Sequence, residues 1–133
     1  MNYEEWEKTV PDAVKNDPVW QFYAHRKALY IYDLMWDDCG QLLHDPRGRA
    51  VAEQITRSIG SISANIEEGY GRGYGKDRNY FLRVAVGSAR ESKGWYFRAR
   101  RLISPDALKS RLILCDDIIS LLVTEINHQR QYR

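Results

Sequence analysis

The chain has 133 residues and a formal net charge of +2, with 44% of its residues apolar and 29% charged. This composition is typical of a soluble globular protein, and the length most simply gives one domain. No uncharged apolar run approaches the roughly 18 residues that span a bilayer, and the acidic start lacks the apolar stretch of a secretory signal, so we expect a cytoplasmic protein without membrane contact.

The first 16 residues form an acidic lead-in that carries Tyr3, Trp6 and Val10. Pro11 interrupts any long helix in this segment. Two interpretations stay open for it. The lead-in is either a short helix whose aromatic side chains dock on the body of the protein or a mobile tail.

Four amphipathic helices are predicted after the lead-in, because apolar residues recur at spacings of three and four. Their predicted bounds are about 18–43, 48–68, 77–102 and 105–127, followed by a polar tail, 128–133, that is expected to fray. Asp17-Pro18 and Ser104-Pro105 begin the first and last helices, since a short polar side chain caps free N–H groups and proline suits the first helical position. Short connections favour antiparallel neighbours, so the predicted fold is an all-α, up-down-up-down four-helix bundle.

The predicted ends of the two middle helices depend on a turn, a glycine and an aspartate. The second is predicted to follow a turn at 44–48 and to end near Gly69, and Asp77 is the predicted cap of the third. The side chains predicted to face the core from the third helix are Phe81, Val84, Ser88, Trp95 and Leu102. Glycine inside a helix calls for a reason, and close approach of these two backbones is the simplest one. The small residues concerned are Ser58, Gly60, Ser61, Ser63 and Ala64 on the second helix and Ala85, Gly87, Ser88, Ala89 and Ser92 on the third.

Aromatic side chains on the first helix exceed what one core stripe requires. Phe22, Tyr23, Tyr30 and Trp36 lie off that stripe. They indicate either a second packed surface, such as a subunit contact, or aromatic residues that cover the rim of the core.

Positive charge is concentrated between Arg72 and Arg101, where nine Lys/Arg face two acids, while the remainder of the chain is net acidic. Segregated charge of this kind favours a polyanionic partner. The candidate phosphate contacts are Arg72, Lys76, Arg78, Arg83, Arg90, Arg98, Arg100 and Arg101. The alternative is a solvated basic face that pairs with acids of the other helices. Those acids are Asp37, Asp38, Glu53, Asp116 and Asp117.

The loop GYGRGYG, residues 69–75, contains the spacing GxGxG. A nucleotide-binding loop is excluded by context, since a helix precedes this loop and no GK[ST] ends it. Two interpretations remain. The loop is a permissive hairpin connection, or it also contacts a phosphate backbone, with Tyr70 and Tyr74 offering faces on which bases stack.

No catalytic or metal-binding pattern is present in the sequence. His25, His44 and His128 are scattered, and neither a nucleophilic triad nor a repeated Glu-x-x-His motif occurs. We therefore predict no metal, no cofactor and no enzymatic activity. Glu68 is predicted to anchor the loop through its backbone or an arginine, and Glu91 to pair with Arg57. The two cysteines are far apart without CxxC spacing and are expected to be buried thiols.

The stretch 19–102 resembles the four-helix-bundle family of ribosomal-RNA intervening-sequence proteins, to which accessory proteins of diversity-generating retroelements are similar in architecture. The resemblance is carried by VWQ (19–21), SISANIEEGYGRG (61–73) and FLRVAVGSARES (81–92). It implies a ring-like homopentamer with a basic surface that binds nucleic acid, and for the retroelement relatives a reverse transcriptase partner. The positions that match the family motif are Asn65, Glu68, Gly69, Gly71, Arg72, Phe81, Arg83, Gly87, Ser88 and Glu91.

The leading hypothesis is a non-enzymatic accessory protein that binds RNA or DNA through the basic face of the third helix and the loop before it. The alternative is an oligomeric protein-interaction scaffold that docks a partner enzyme such as a reverse transcriptase. A third class, an RNA-processing enzyme, lacks the clustered carboxylates or histidines that phosphoryl transfer requires.

Overall fold

The computed structural model describes residues 1–132, and this part of the chain is all-helical, with six α-helices, one short 3-10 helix and no strand. The prediction of an all-α protein is confirmed. The short elements are α1 (Tyr3–Glu7), α2 (Asp12–Lys15) and the 3-10 helix (Pro18–Gln21). The long helices are α3 (Tyr23–Leu42), α4 (Pro46–Gly71), α5 (Lys76–Arg98) and α6 (Pro105–Gln129). None of the helices in residues 1–132 is long and apolar enough to cross a membrane.

Polar caps mark where α4 and α6 begin. The Asp45 carboxylate accepts hydrogen bonds from the backbone N–H groups of Arg47 (2.7 Å) and Gly48 (3.3 Å), with Pro46 in the first helical position. The predicted turn is confirmed at His44 and Asp45, but residues 46–48 already belong to α4, because the Asp-Pro pair begins a helix here just as the polar-Pro pairs do elsewhere. Ser104 caps α6 as predicted.

The first long helix is interrupted near its start. Asp17 caps the 3-10 helix by accepting from the N–H of Val19 at 3.0 Å. Phe22 then takes an extended conformation, with φ −84° and ψ 113°, so α3 begins only at Tyr23. The prediction of one continuous helix from 18 to 43 is wrong over this first turn.

The bounds of α4 and α5 also differ from the prediction. Gly69 does not end α4, which continues to Gly71. A Cβ on Gly69 would lie 3.1 Å from the carbonyl oxygen of Arg78, so this glycine permits the close approach of α5. Gly75, with φ +72°, occupies the cap position of α5, and Asp77 lies in the first turn instead of capping it. The helix ends at Arg98, four residues before the predicted bound.

One core runs through the four long helices. Successive long helices contact each other, α3 also contacts α6, and α4 packs most extensively against α5. The buried residues of α5 are Arg78, Asn79, Leu82, Ala85, Ala89, Ser92 and Tyr96. The inward face predicted for this helix was wrong, and Val84 is 39% exposed. The core face includes the small side chains of Ala85, Ala89 and Ser92, so the larger apolar residues beside it dominated the sequence pattern.

Serine pairs confirm the close approach of α4 and α5. The hydroxyl oxygens of Ser61 and Ser88 lie 2.8 Å apart, and the Ser92 hydroxyl donates to the Ser58 oxygen at 3.0 Å. The two glycines assigned to the same contact do not belong to it. A Cβ on Gly60 would meet the Tyr32 ring of α3 at 3.4 Å, and one on Gly87 would meet no atom within 4 Å.

The lead-in docks on the body of the protein. The Trp6 ring is buried against Trp20 and Tyr30, and its Nε1–H donates to the Asp33 carboxylate at 2.6 Å. Tyr30, one of the surplus aromatic residues of the first long helix, thus packs within the chain, while Trp36 stays exposed.

A charged network joins α3, α5 and α6 inside the protein. The Arg111 guanidinium donates to both oxygens of Asp38, from Nε at 2.7 Å and from Nη2 at 3.0 Å. The Tyr96 hydroxyl donates to the same carboxylate at 2.8 Å. Asp38, a predicted partner of the basic face, therefore pairs with a different arginine.

Both cysteines are buried free thiols, as predicted. Burial raises the pKa of the Cys115 thiol to about 12.

Candidate nucleic-acid interface

An exposed row of cations runs along α5. Lys76, Arg83 and Arg90 are all exposed. They stand seven residues apart, which is close to two helical turns, so they share one side of the helix. Within residues 1–132 no carboxylate oxygen lies within 4.0 Å of any of the three side chains. We call these three residues the basic ridge.

Three further candidate cations lie beyond Arg90, toward and past the C-terminal end of α5. Arg98 ends α5 with its guanidinium 4.7 Å from the Trp95 ring centroid, and Arg100 lies 4.2 Å from that of Phe97. Arg101 is exposed beyond the end of the helix. These contacts leave the guanidinium groups charged and accessible.

The alternative prediction, that acids of the other helices neutralise the basic face, holds at one position. Lys93 pairs with Asp116 at 2.6 Å. Asp117 pairs instead with Lys27 of α3 at 3.8 Å. In the described part of the chain the ridge is therefore not neutralised by these carboxylates.

Arg72 is held by the carboxylate that precedes it by one helical turn. Its Nε and Nη2 donate to Glu68 Oε1 at 3.0 and 2.6 Å, so the predicted anchoring of Glu68 by an arginine is confirmed. The guanidinium lies 5.2 Å from the ring centroid of Phe81. Both partners of the ion pair are about half exposed, and pairs of this kind are weak in water.

Arg78 is placed differently from the other candidates, because it is 93% buried, with 7% of its surface exposed. Its guanidinium carbon lies between two rings, 3.9 Å from the centroid of Tyr70 and 4.4 Å from that of Tyr74. Phe22 stacks on Tyr70 at 5.6 Å, and Tyr132 packs against Tyr74 at 5.2 Å. Protein groups thus pack against both rings that were predicted to stack on bases.

The phenol of Tyr70 is part of the same enclosed cluster. Burial, followed by the negative charge of Glu125, raises the pKa of Tyr70 to about 12, against a smaller opposing effect of Arg78. A partly buried tyrosine with this surrounding serves to hold the loop. Tyr74 remains 62% exposed at the surface of the cluster.

The C-terminal end of α6 holds the loop between α4 and α5. Gln129 is 2% exposed, and its Oε1 accepts a hydrogen bond from the N–H of Gly75 at 2.9 Å. Asn79 donates from Nδ2 to the Ile126 carbonyl at 2.9 Å. A Cβ on Gly75 would lie 3.3 Å from the Tyr132 carbonyl oxygen. Residues 128–132 therefore do not simply fray, and no local pattern in the sequence indicated this long-range contact.

Several of the family-motif positions make contacts within α4 or between α4 and α5. Asn65 donates from Nδ2 to the carbonyl and hydroxyl oxygens of Ser61 at 2.8 and 2.9 Å. Glu91 pairs with Arg57, as predicted, and accepts from the Trp95 Nε1–H at 3.0 Å. These two hydrogen bonds, that of Arg57 first, lower the pKa of Glu91. Gly71 has open space around it, with no atom within 4 Å of a built Cβ.

The buried imidazole of His25 contacts a single carboxylate, with Nε2 2.9 Å from Glu67 Oε2. In residues 1–132 no three His, Cys, Asp or Glu side chains are grouped closely enough to hold a metal ion.

A family model described as 23S rRNA-intervening sequence protein matches residues 19–124. The chain is also similar to a crystal structure of a protein with unknown function from the S23 ribosomal protein family of Bacteroides thetaiotaomicron VPI-5482, with 25% sequence identity and a TM-score of 0.72. That similarity covers 77% of this chain and 97% of the other. No curated protein matches the chain. Since the family model covers α3, α4, α5, the α4–α5 loop and most of α6, the chain belongs to the 23S rRNA-intervening sequence protein family.

Proposed function

We propose that this protein is a non-enzymatic accessory protein that binds RNA or DNA phosphates along the basic ridge. One observation carries the proposal: Lys76, Arg83 and Arg90 are exposed on one side of α5 without a carboxylate partner in residues 1–132. Unpaired surface cations in a row attract a phosphate backbone and release its counterions. Arg98, Arg100 and Arg101 extend the charge beyond the helix, and the family name itself refers to an RNA.

We further propose an antiparallel, up-down-up-down arrangement of the four long helices and assembly into a ring-like homopentamer. The contacts between successive helices, together with the contact between α3 and α6, support the arrangement. A ring would repeat the basic ridge once in each copy, which multiplies weak phosphate contacts. The mass of the particle in solution, measured by light scattering, tests this proposal.

An alternative role as an oligomeric scaffold for a partner enzyme, such as a reverse transcriptase, has one observation in its favour. A groove of about 630 Å³ lies between α3 and α4, lined by Met35, Cys39 and Leu43 among others. Trp36 stands at this groove with 67% of its surface exposed, and exposed tryptophan is enriched at protein contacts. Co-purification of a partner that survives nuclease treatment would favour this role over direct nucleic-acid binding.

The experiment for the leading proposal is a salt titration of binding to fluorescent single-stranded RNA and DNA. The variant R83A/R90A removes two ridge charges, and K8A/K109A removes two exposed charges elsewhere. Each lost phosphate contact should reduce the log–log salt slope by about 0.7 to 0.9, so the ridge variant should lose about 1.5 and the control close to none. Equal slopes for both variants, or no binding at low salt, would remove the proposal.

A further inference from the structure

Arg78 carries a buried charge for which the described chain supplies no partner. Its side chain makes no hydrogen bond in residues 1–132, and Nε is enclosed without an acceptor. None of the carboxylates of that range lies within 4.0 Å of it. An enclosed charge without a partner is unfavourable, and buried arginines are ordinarily paired. This environment indicates an acceptor that comes from outside the described residues.

The guanidinium of Arg78 is held in one orientation. The rings of Tyr70 and Tyr74 pack against it, with their centroids 3.9 and 4.4 Å from the guanidinium carbon, and Phe22 stacks on Tyr70. Cation–π contacts offset part of the burial cost but occupy only the faces of the group. The N–H donors lie in the plane of the guanidinium, so its edge stays free. Only Nε is both enclosed and unpaired, which places the terminal amino groups at the surface.

The position of Arg78 favours an oxyanion. The residue lies in the first turn of α5, whose N-terminus has no side-chain cap. The first N–H groups of a helix have no partner within it, and the guanidinium lies near this end of α5, because it contacts the ring of Tyr74 just before the cap residue Gly75. Free N–H groups and the helix dipole both favour negative charge there, and the exposed Lys76 adds to it. Asp77, the acid of this turn, forms no ion pair with Arg78.

We propose that Arg78, together with Lys76 and the first turn of α5, binds a single phosphate group of a nucleic-acid strand. This inference rests on the proposed function and adds to it a defined anchor at one end of the basic ridge. A planar guanidinium edge donates two parallel hydrogen bonds to phosphate, which an exposed lysine cannot do. The phosphate comes either from an internal phosphodiester or from the terminal monoester of a strand.

The test observes the Arg78 Nε–H group directly in ¹H–¹⁵N spectra of the full chain, with the signal assigned by the loss that R78K produces. The probes are inorganic phosphate, a short uridine oligonucleotide, and the same oligonucleotide with a 5′-phosphate. We expect a saturable shift of this signal with each probe. A larger shift at lower concentration of the 5′-phosphorylated strand identifies a terminal phosphate, and equal shifts identify an internal one. An Arg78 signal that none of the probes moves would overturn the inference.

Binding of the same oligonucleotides separates this inference from the proposed function. R78K keeps the charge but loses the bidentate hydrogen bonds to phosphate. The affinity for the oligonucleotides should therefore fall about tenfold, while the log–log slope of affinity against salt changes little. R83A/R90A should lower the salt slope yet leave the phosphate-induced shift of the Arg78 signal intact. Unchanged affinity in R78K, with the ridge variant still impaired, would reject the anchor and retain the ridge. If R78K and R83A/R90A both bound the oligonucleotides as well as the parent protein does, the anchor and the ridge would both be rejected.

Discussion

Two arginines, the buried Arg78 and the partly buried Arg111, lie toward opposite ends of the protein and have contrasting surroundings. Arg111 of α6 meets both oxygens of Asp38, a carboxylate that also accepts from the Tyr96 hydroxyl near the end of α5. Arg78 meets two aromatic rings in the first turn of α5 and no acceptor within residues 1–132. About 27 Å of helix separates Arg78 from Tyr96, at 1.5 Å per residue.

The difference shows what each buried charge can contribute. The Arg111 network joins three helices and satisfies its own charge, so it fixes how those helices align. Arg78 is held by packing alone, and its hydrogen-bonding capacity is unused by the described chain. A charge neutralised inside the fold belongs to the fold, whereas one that is positioned but unpaired is available to a ligand.

The largest effect is expected from breaking the paired arginine. R111M leaves the Asp38 carboxylate, which is 4% exposed, without its charged partner. It should lower the free energy of unfolding by about 3 kcal/mol. Urea denaturation followed by circular dichroism measures it. K109M removes an exposed charge from the same helix and should stay within about 0.5 kcal/mol of the parent. Similar midpoints for the two variants would show that the network adds no net stability.

Alkaline pH should lower the free energy of unfolding through Tyr96, which belongs to the Asp38–Arg111 network. Burial, reinforced by the Asp38 charge, raises the pKa of this phenol far above 10. The unfolded chain releases the phenolic proton above about pH 10 and the folded chain retains it, so the stabilisation is fully present below pH 10 and is lost as pH rises. The slope is at most about 1.4 kcal/mol per pH unit for this group.

Two substitutions identify the tyrosine responsible for that slope. Y96F should reduce the slope of the free energy of unfolding against pH above pH 10 by the contribution of one tyrosine. The exposed Tyr23→Phe serves as the control for removing a tyrosine. Y70F extends the comparison to the Arg78 end, because the pKa of Tyr70 is raised to about 12. A Y96F profile parallel to that of the parent would contradict the assignment.

Local signals in the sequence predicted the four long helices well. The three-and-four spacing of apolar residues and the Ser104-Pro105 pair depend on neighbours a few residues apart. The inward face of α5 could not be predicted in the same way. Its core positions include Ala85, Ala89 and Ser92, whose small side chains are buried because α4 approaches closely. A prediction from hydrophobicity alone therefore assigned the core face to the larger apolar residues beside these positions.

The candidate site was predictable as a charge cluster but not as a set of distinct environments. The sequence placed Arg78 and Arg83 in one group, since both are cations in a basic stretch. The structure separates them, with Arg78 buried between rings and Arg83 exposed. That separation depends on Phe22 and Gln129, which are distant in sequence and converge only when the chain folds.

The smallest effect is expected from R78M, which replaces the unpaired arginine by an apolar side chain of similar length. It removes an uncompensated buried charge and a cation–π contact at once, and these opposing changes should leave the free energy of unfolding within about 1 kcal/mol of the parent. Urea denaturation beside R111M gives the direct comparison. A loss near 3 kcal/mol would mean that Arg78 already has a partner within the protein, and the contrast between Arg78 and Arg111 would then disappear. A change near zero would mean that the fold does not depend on this charge, which leaves it available to an external anion.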